Sequence, residues 1–239
     1  MNTSQYQPVE VERGFWRIED GGVRCFLIEG EHTALLVDTG FGTGDLRTCV
    51  KALTRLPLLV INTHADRDHT GCNGQFASVG MHPSEFDYYR YGKNYTPVPL
   101  TPLWEGQVLE LGGRRFTVLL IPGHTPGSIA LYERESGILI SGDSVQTGTV
   151  YLFGQGRNLP AYLYSLEKLQ AMQHKVRRIF PSHGEAELAP EVITGVLEDA
   201  RALRAGKLAG EKPQQELPCL LYRGQTASFY YQDPDLAAQ

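Results

Sequence analysis

The stretch "NTHADRDHTG" (residues 62–71) sets His64, Asp66, Asp68 and His69 within six positions, directly after the apolar run "LPLLVI". Imidazole nitrogens and carboxylate oxygens are the donors that borderline and hard divalent cations accept. At this spacing they can point to two sides of one loop, which makes room for two ions. Two ions that share a water lower its pKa and polarise a substrate oxygen, which is hydrolytic chemistry. The competing reading is a solvated polar turn capping a helix that begins near Thr70, since Asp and Thr are ordinary N-cap residues.

Four other places put an acid or a histidine directly after an apolar strand: Asp38 in "LLVDTG", His124 in "LLIPGHTPGS", Asp143 in "GILISGDS" and His183 in "RRIFPSHGE". Strand ends are rigid, and the loops leaving them can present side chains to a shared sheet edge. Each alone reads equally as a turn or a strand-to-loop transition. The remaining histidines, His32, His82 and His174, lie in polar surroundings and are expected at the surface or in supporting roles. Neither "GDS" nor "GHTPGS" forms the G-x-S-x-G elbow, and no cysteine neighbours a histidine, so a covalent nucleophile is not expected. "GFGTGD" (40–45) lacks the G-x-G-x-x-G spacing and reads as a turn into a helix.

The elements that must position these residues are strands and helices in both halves of the chain. Strands are expected at 23–28, 33–38, 58–62, 115–121, 128–133, 137–141 and 226–231, from short β-branched and apolar runs. Helices are expected at 44–55, 160–172 and 189–206. In the last, Val192, Val196, Ala200 and Leu203 share a face and Gly206 can end the helix. The stretch 91–106, with Pro97, Pro99, Pro102, Tyr91, Tyr95 and Trp104, reads as an irregular loop that either lines a pocket or packs on itself.

The 239 residues, 41% hydrophobic and 21% charged, fit a folded protein, read here as a single domain over 1–239. A net charge of -5 and the lack of any basic run longer than Arg114-Arg115 or Arg177-Arg178 speak against nucleic acid as a partner. Cys25, Cys49, Cys72 and Cys219 are widely spaced and expected as reduced thiols. No leader-like start and no apolar run of membrane-spanning length are visible, so no membrane partner and a cytoplasmic location are expected.

Taken in order, Asp38-Thr39-Gly40, the 64–69 loop, His124 in "GHTPGS", Asp143 in "SGDS" and His183 in "SHGE" resemble the metallo-β-lactamase-fold superfamily, from about Leu35 to His183. The resemblance implies an α/β fold, a four-layer αβ/βα sandwich, with a dinuclear metal site at the sheet edges. It also implies that His64, residue 66 and His124 hold one ion and Asp68, His69 and His183 the other. Asp143 would bridge the pair and Asp38 would brace the metal loop from behind. The implied reaction is attack by a metal-bridged hydroxide, with Asp68 orienting the nucleophile or passing its proton to the leaving group.

Asp66 departs from the family's commonest pattern, which has histidine there. With Asp66, Asp68 and Asp143, three carboxylates and a hydroxide offset the four charges of two divalent ions, which makes the pair less electrophilic. A further oxygen donor tilts the site from zinc toward iron or manganese. The alternative is that Asp66 is too short to reach its ion. Two divalent ions, with zinc first, are the expected cofactors. Tyr151, Arg157, Asn158 and Tyr162, in the segment after Asp143, are candidate substrate contacts. The expected activity is hydrolysis of a small-molecule ester, thioester or lactone. The alternatives are a diiron redox protein, whose flavodiiron relatives append a flavodoxin-like domain for which the 56 residues after His183 are too few, and a metal-poor binding protein.

Overall fold

Strand-forming residues from Val9 to Val37 fold into an antiparallel meander that opens a seven-stranded sheet in the computed structural model, which describes residues 6–92 and 95–232. Contacts within the chain define two units. One comprises residues up to Leu119 with Ile129–Glu135, the other Leu120–Ser128 with the residues from Ser136 onward.

In the first unit, β1 (Gln7–Glu12), β2 (Phe15–Asp20), β3 (Val23–Glu29) and β4 (Ala34–Val37) pair antiparallel in that order. β5 (Leu58–Ile61), β6 (Val79–Met81) and β7 (Leu100–Pro102) then continue the sheet in parallel with β4. The crossover from β4 to β5 carries α1 (Leu46–Leu53), which Asp45 caps by accepting the Thr48 amide at 2.9 Å and which buries Leu46 and Val50. Two short helices, α2 (Arg67–Thr70) and α3 (Phe86–Arg90), follow β5 and β6. β8 (Val108–Glu110), β9 (Arg115–Leu120) and β10 (Ile129–Glu133) complete the unit's strands. Parallel pairing has one consequence for the site. Val37 pairs with Ile61 and Ile61 with Gly80, so the loops leaving β4, β5 and β6 all start from one edge.

The second unit holds β11 (Ile138–Gly142), β12 (Thr149–Leu152), α4 (Leu159–Met172), β13 (Arg178–Pro181), α5 (Val192–Arg204), β14 (Gly210–Glu211), β15 (Leu220–Arg223) and β16 (Ser228–Tyr231). β11 and β13 are parallel, with Gly142 opposite Pro181, so Asp143 and His183 leave adjacent strand ends. β12, β16, β15 and β14 form a second sheet in that order. α4 packs on α5, whose Asp199 is buried and accepts the amides of Gln225, Thr226 and Ala227, tying the β15–β16 turn to the helix.

The expected strands and long helices are present, with ends displaced by up to three residues. α5 buries Ile193, Val196, Leu197, Ala200 and Leu203, while Val192, its first residue, is half-buried. Gly206 ends that helix at φ +66°. The 91–106 loop contains a three-residue edge strand, β7, where Pro102 needs no ladder donor, and its Lys93 and Asn94 lie outside the described residues. All four cysteines are free thiols. Among the described residues no helix is long and apolar enough to cross a membrane.

Candidate metal centre

The first unit contributes the loop that follows β5. His64 and His69 are buried, so the segment is not a solvated turn, and Asp66 stands before α2 without making a side-chain cap bond. Asp38, at the end of β4, is completely buried and sits at φ +63°, a left-handed conformation that aspartate tolerates better than most residues. Its carboxylate accepts the Thr63 amide at 2.7 Å, the Thr63 hydroxyl at 2.8 Å and His69 Nδ1–H at 2.8 Å. Because the Thr63 hydroxyl gives its proton to Asp38, it must accept from His64 Nδ1, 3.0 Å away. One carboxylate therefore fixes both imidazoles with Nδ1 as the hydrogen-bond donor, so that in the neutral ring the lone pair is on Nε2. The two rings stack obliquely with centroids 4.0 Å apart.

Several residues outside the sequence-based set hold this loop. Asn62 donates to the His69 carbonyl at 2.7 Å, Asn73 donates to Asn62 at 2.8 Å, and the Thr39 hydroxyl donates to Asn73 at 2.8 Å. All three side chains are buried, and the chain Thr39–Asn73–Asn62 adds a side-chain bond to the His69 carbonyl, which also accepts the Thr39 amide. Glu85, also buried, accepts the Ala65 amide at 2.8 Å, and Tyr88 donates its phenol proton to Asp66 Oδ1 at 2.8 Å. His82 is buried, edge-on to Trp104, and its Nδ1 accepts the Ser84 amide. Burial, opposed by Glu85, lowers its pKa and keeps that nitrogen an acceptor. His32 and His174 are exposed.

The second unit holds the candidate donors His124, Asp143 and His183. The turn before His124 requires Gly123, whose φ is +134° and whose missing Cβ would collide with the Tyr162 backbone. α4 holds this turn through Ser165, which donates to the Pro122 carbonyl at 2.6 Å, and Lys168, which donates to that of Leu120 at 3.0 Å. His124 Nδ1 donates to the Tyr151 carbonyl at 2.9 Å, so here too Nε2 keeps its lone pair. Asp143 Oδ2 stands 3.7 Å from His124 Nε2 and 3.4 Å from His183 Nε2, one oxygen with an imidazole on each side.

These donor sets fit divalent ions. Two ligands each about 2.1 Å from one ion at a tetrahedral angle are about 3.4 Å apart. Comparable spacings separate His64 Nε2 from Asp66 Oδ2, at 3.4 Å, and His69 Nε2 from Asp68 Oδ2, at 3.8 Å. A neutral ring's lone pair facing a carboxylate oxygen at such distances is repelled, and a proton on Nε2 or a metal ion between the two relieves it.

Of the candidate substrate contacts, Tyr162 is corrected. Tyr162 is fully buried and donates its hydroxyl to the Ser144 carbonyl at 2.7 Å; burial, with Asp143 as a lesser cause, pushes its phenol pKa far up. Asn158 spends its side-chain oxygen capping α4 through the Ala161 amide at 2.8 Å. Tyr151 is exposed, with its ring against Phe153 and Tyr230, and Arg157 is half-buried.

Residues 18–183 match the sequence pattern of the metallo-β-lactamase superfamily, and the chain belongs to that superfamily, with its α/β fold. The family implies hydrolytic chemistry with divalent metal ions. Acyl-coenzyme A thioesterase MBLAC2 of Gallus gallus is 30% identical over 212 residues, covering 71% of this chain and 76% of its own. A hydroxyacylglutathione hydrolase of Gloeobacter violaceus is 30% identical over 189 residues, covering 74% of this chain and 67% of its own. The protein TTHA1623, solved in a di-iron-bound form, superposes with a TM-score of 0.62 at 26% identity, covering 79% of this chain and 96% of that one.

Proposed function

We propose that the chain hydrolyses small-molecule thioesters of the acyl-coenzyme A or acylglutathione kind at a dinuclear centre. His64, Asp66 and His124 would hold one ion, Asp68, His69 and His183 the other, and Asp143 both. The observation that carries the reading is the likeness, over 71% and 74% of the chain, to two relatives whose names specify thioester substrates. When bound, the two ions supply an acidified water and an electrophilic contact for the thioester carbonyl.

The chain's own residues do the rest. Asp38, directly and through Thr63, holds Nδ1 of His69 and of His64 as a hydrogen-bond donor, the tautomer in which Nε2 would be the metal-binding nitrogen. Asp68, whose side chain is 23% exposed, can take a proton from the attacking water. A thiol leaves as its thiolate near neutral pH, since its pKa is about 8.5, so proton delivery to the leaving group matters less than for an oxyester. Tyr151 and Arg157 stay as proposed substrate contacts, the ring for an apolar group and the guanidinium for a carboxylate or phosphate. Zinc is the proposed ion. Iron is the second choice, supported by the di-iron form of TTHA1623 and by the extra oxygen donor at Asp66.

The test is thiol release from acyl-coenzyme A esters and from S-lactoylglutathione by protein reconstituted with zinc or with iron, beside oxyester and lactone controls. Thioester turnover that vanishes in Asp68→Asn and His69→Ala is expected. Protein that holds two ions and cleaves only oxyesters or lactones would contradict the proposed substrate class, and an iron-coloured protein without hydrolase activity would move the reading to redox chemistry.

A further inference from the structure

Asp66 is the position at which this chain departs from the histidine pattern, and the first unit contains a device matched to the departure. Aspartate is shorter than histidine and its carboxylate can rotate, so a ligand role depends on what orients it. Oδ2 lies 3.4 Å from His64 Nε2, while Oδ1 accepts the Tyr88 phenol at 2.8 Å. The two oxygens therefore have different partners, and a rotation that carried Oδ2 away from His64 would break the phenol bond. Tyr88 does not act alone. Glu85, three residues earlier and hence on the same helical face, accepts the amide of Ala65 at 2.8 Å. The 83–90 segment thus grips two consecutive loop residues, one by its backbone and one by its carboxylate.

The geometry points to Tyr88 as the positioning residue for Asp66, holding that carboxylate as a one-oxygen ligand of the first ion and making the short side chain serve where a histidine would otherwise stand. The inference rests on the dinuclear reading above. Its role is to orient a ligand, so its loss is felt in ion affinity at one site and leaves the fold and the other site alone. Tyr88 is 40% exposed, and phenylalanine keeps its ring, so Tyr88→Phe removes only the hydroxyl.

The experiment is chelator-competition titration with zinc of the wild type, Tyr88→Phe, Asp66→His and the double variant, reading the two stepwise affinities, with the melting temperature of each metal-free protein measured alongside. Tyr88→Phe is expected to weaken one step about 10–100-fold, the usual effect of losing a partner behind a ligand, and to leave the other step and the metal-free melting temperature unchanged. In the Asp66→His background the same change should be silent, because an imidazole there has no carboxylate to orient. A wild type that binds two ions and a Tyr88→Phe variant that binds both equally well would overturn the inference and leave the dinuclear reading intact. Equal weakening by Tyr88→Phe in both backgrounds would also overturn it, since a general structural role would then explain the loss. A wild type that binds one ion or none would overturn the dinuclear reading, and the inference with it.

Discussion

The 64–69 loop of the first unit and the strand ends of the second offer the same donor types, yet they are held by different means. In the loop, side chains do the holding. Asp38, Thr63, Asn62, Glu85 and Tyr88 all bond to the ligands or to the backbone between them, and Asn73 holds Asn62. In the second unit, Asp143 and His183 leave the ends of paired strands, and His124 is fixed by a carbonyl and a glycine turn, with Ser165 and Lys168 bonding to the backbone just before it. The difference follows from backbone bookkeeping. An irregular segment leaves peptide groups without ladder partners, and buried side chains must satisfy them, whereas strand ends arrive already paired. Side-chain changes should therefore damage the first region, and changes in backbone freedom the second.

The largest effect is expected from Asp38→Ala. It leaves three buried donors without their acceptor and should cost about 3–5 kcal/mol in denaturant unfolding. A loss under about 1 kcal/mol would mean the loop is held by something else. Next comes Gly123→Ala in the second unit, roughly 2–4 kcal/mol by the same measurement, from the left-handed backbone and the approach of Tyr162. A neutral result would break the backbone half of the comparison. Asn73→Ala should cost about 1–3 kcal/mol through the orphaned Asn62 and Thr39 partners, and it sharpens the contrast if ion affinity falls with stability. The smallest effects belong to Tyr162→Phe and Asn158→Ala, each about 1 kcal/mol. Neither should change KM for a thioester substrate; a raised KM would return that residue to the substrate contacts.

Seven runs rich in β-branched and apolar residues, such as "VRCFLI" and "RFTVLLI", were legible as strands, because burial on both faces or alternation marks them in sequence. Of the strands that were not, β6, β7, β8 and β14 have two or three residues and exist through their pairing partners rather than through local preference, while the six-residue β1 and β2 (QPVEVE and FWRIED) were missed because charged residues break up their apolar ones. The long helices α1, α4 and α5 showed their apolar period; α2 and α3, at four and five residues, are too short to show one. At the site, the donor types stood out because histidine and aspartate cluster after apolar strands. Of their support, Asp38 alone did. Asn62, Asn73 and Glu85 are ordinary polar residues in sequence, and only the parallel edge shared by β4, β5 and β6 gives them their roles. Tyr162 misled for a related reason, since a buried hydroxyl looks like an exposed polar contact until its partner is known.

The most direct test of the central claim is metal content per chain by elemental analysis, after reconstitution with zinc and removal of loosely bound ions, for the wild type and for His69→Ala. About two ions per wild-type chain, falling to one or none in the variant, is the predicted result. Two ions in both proteins, or none in the wild type, would contradict it.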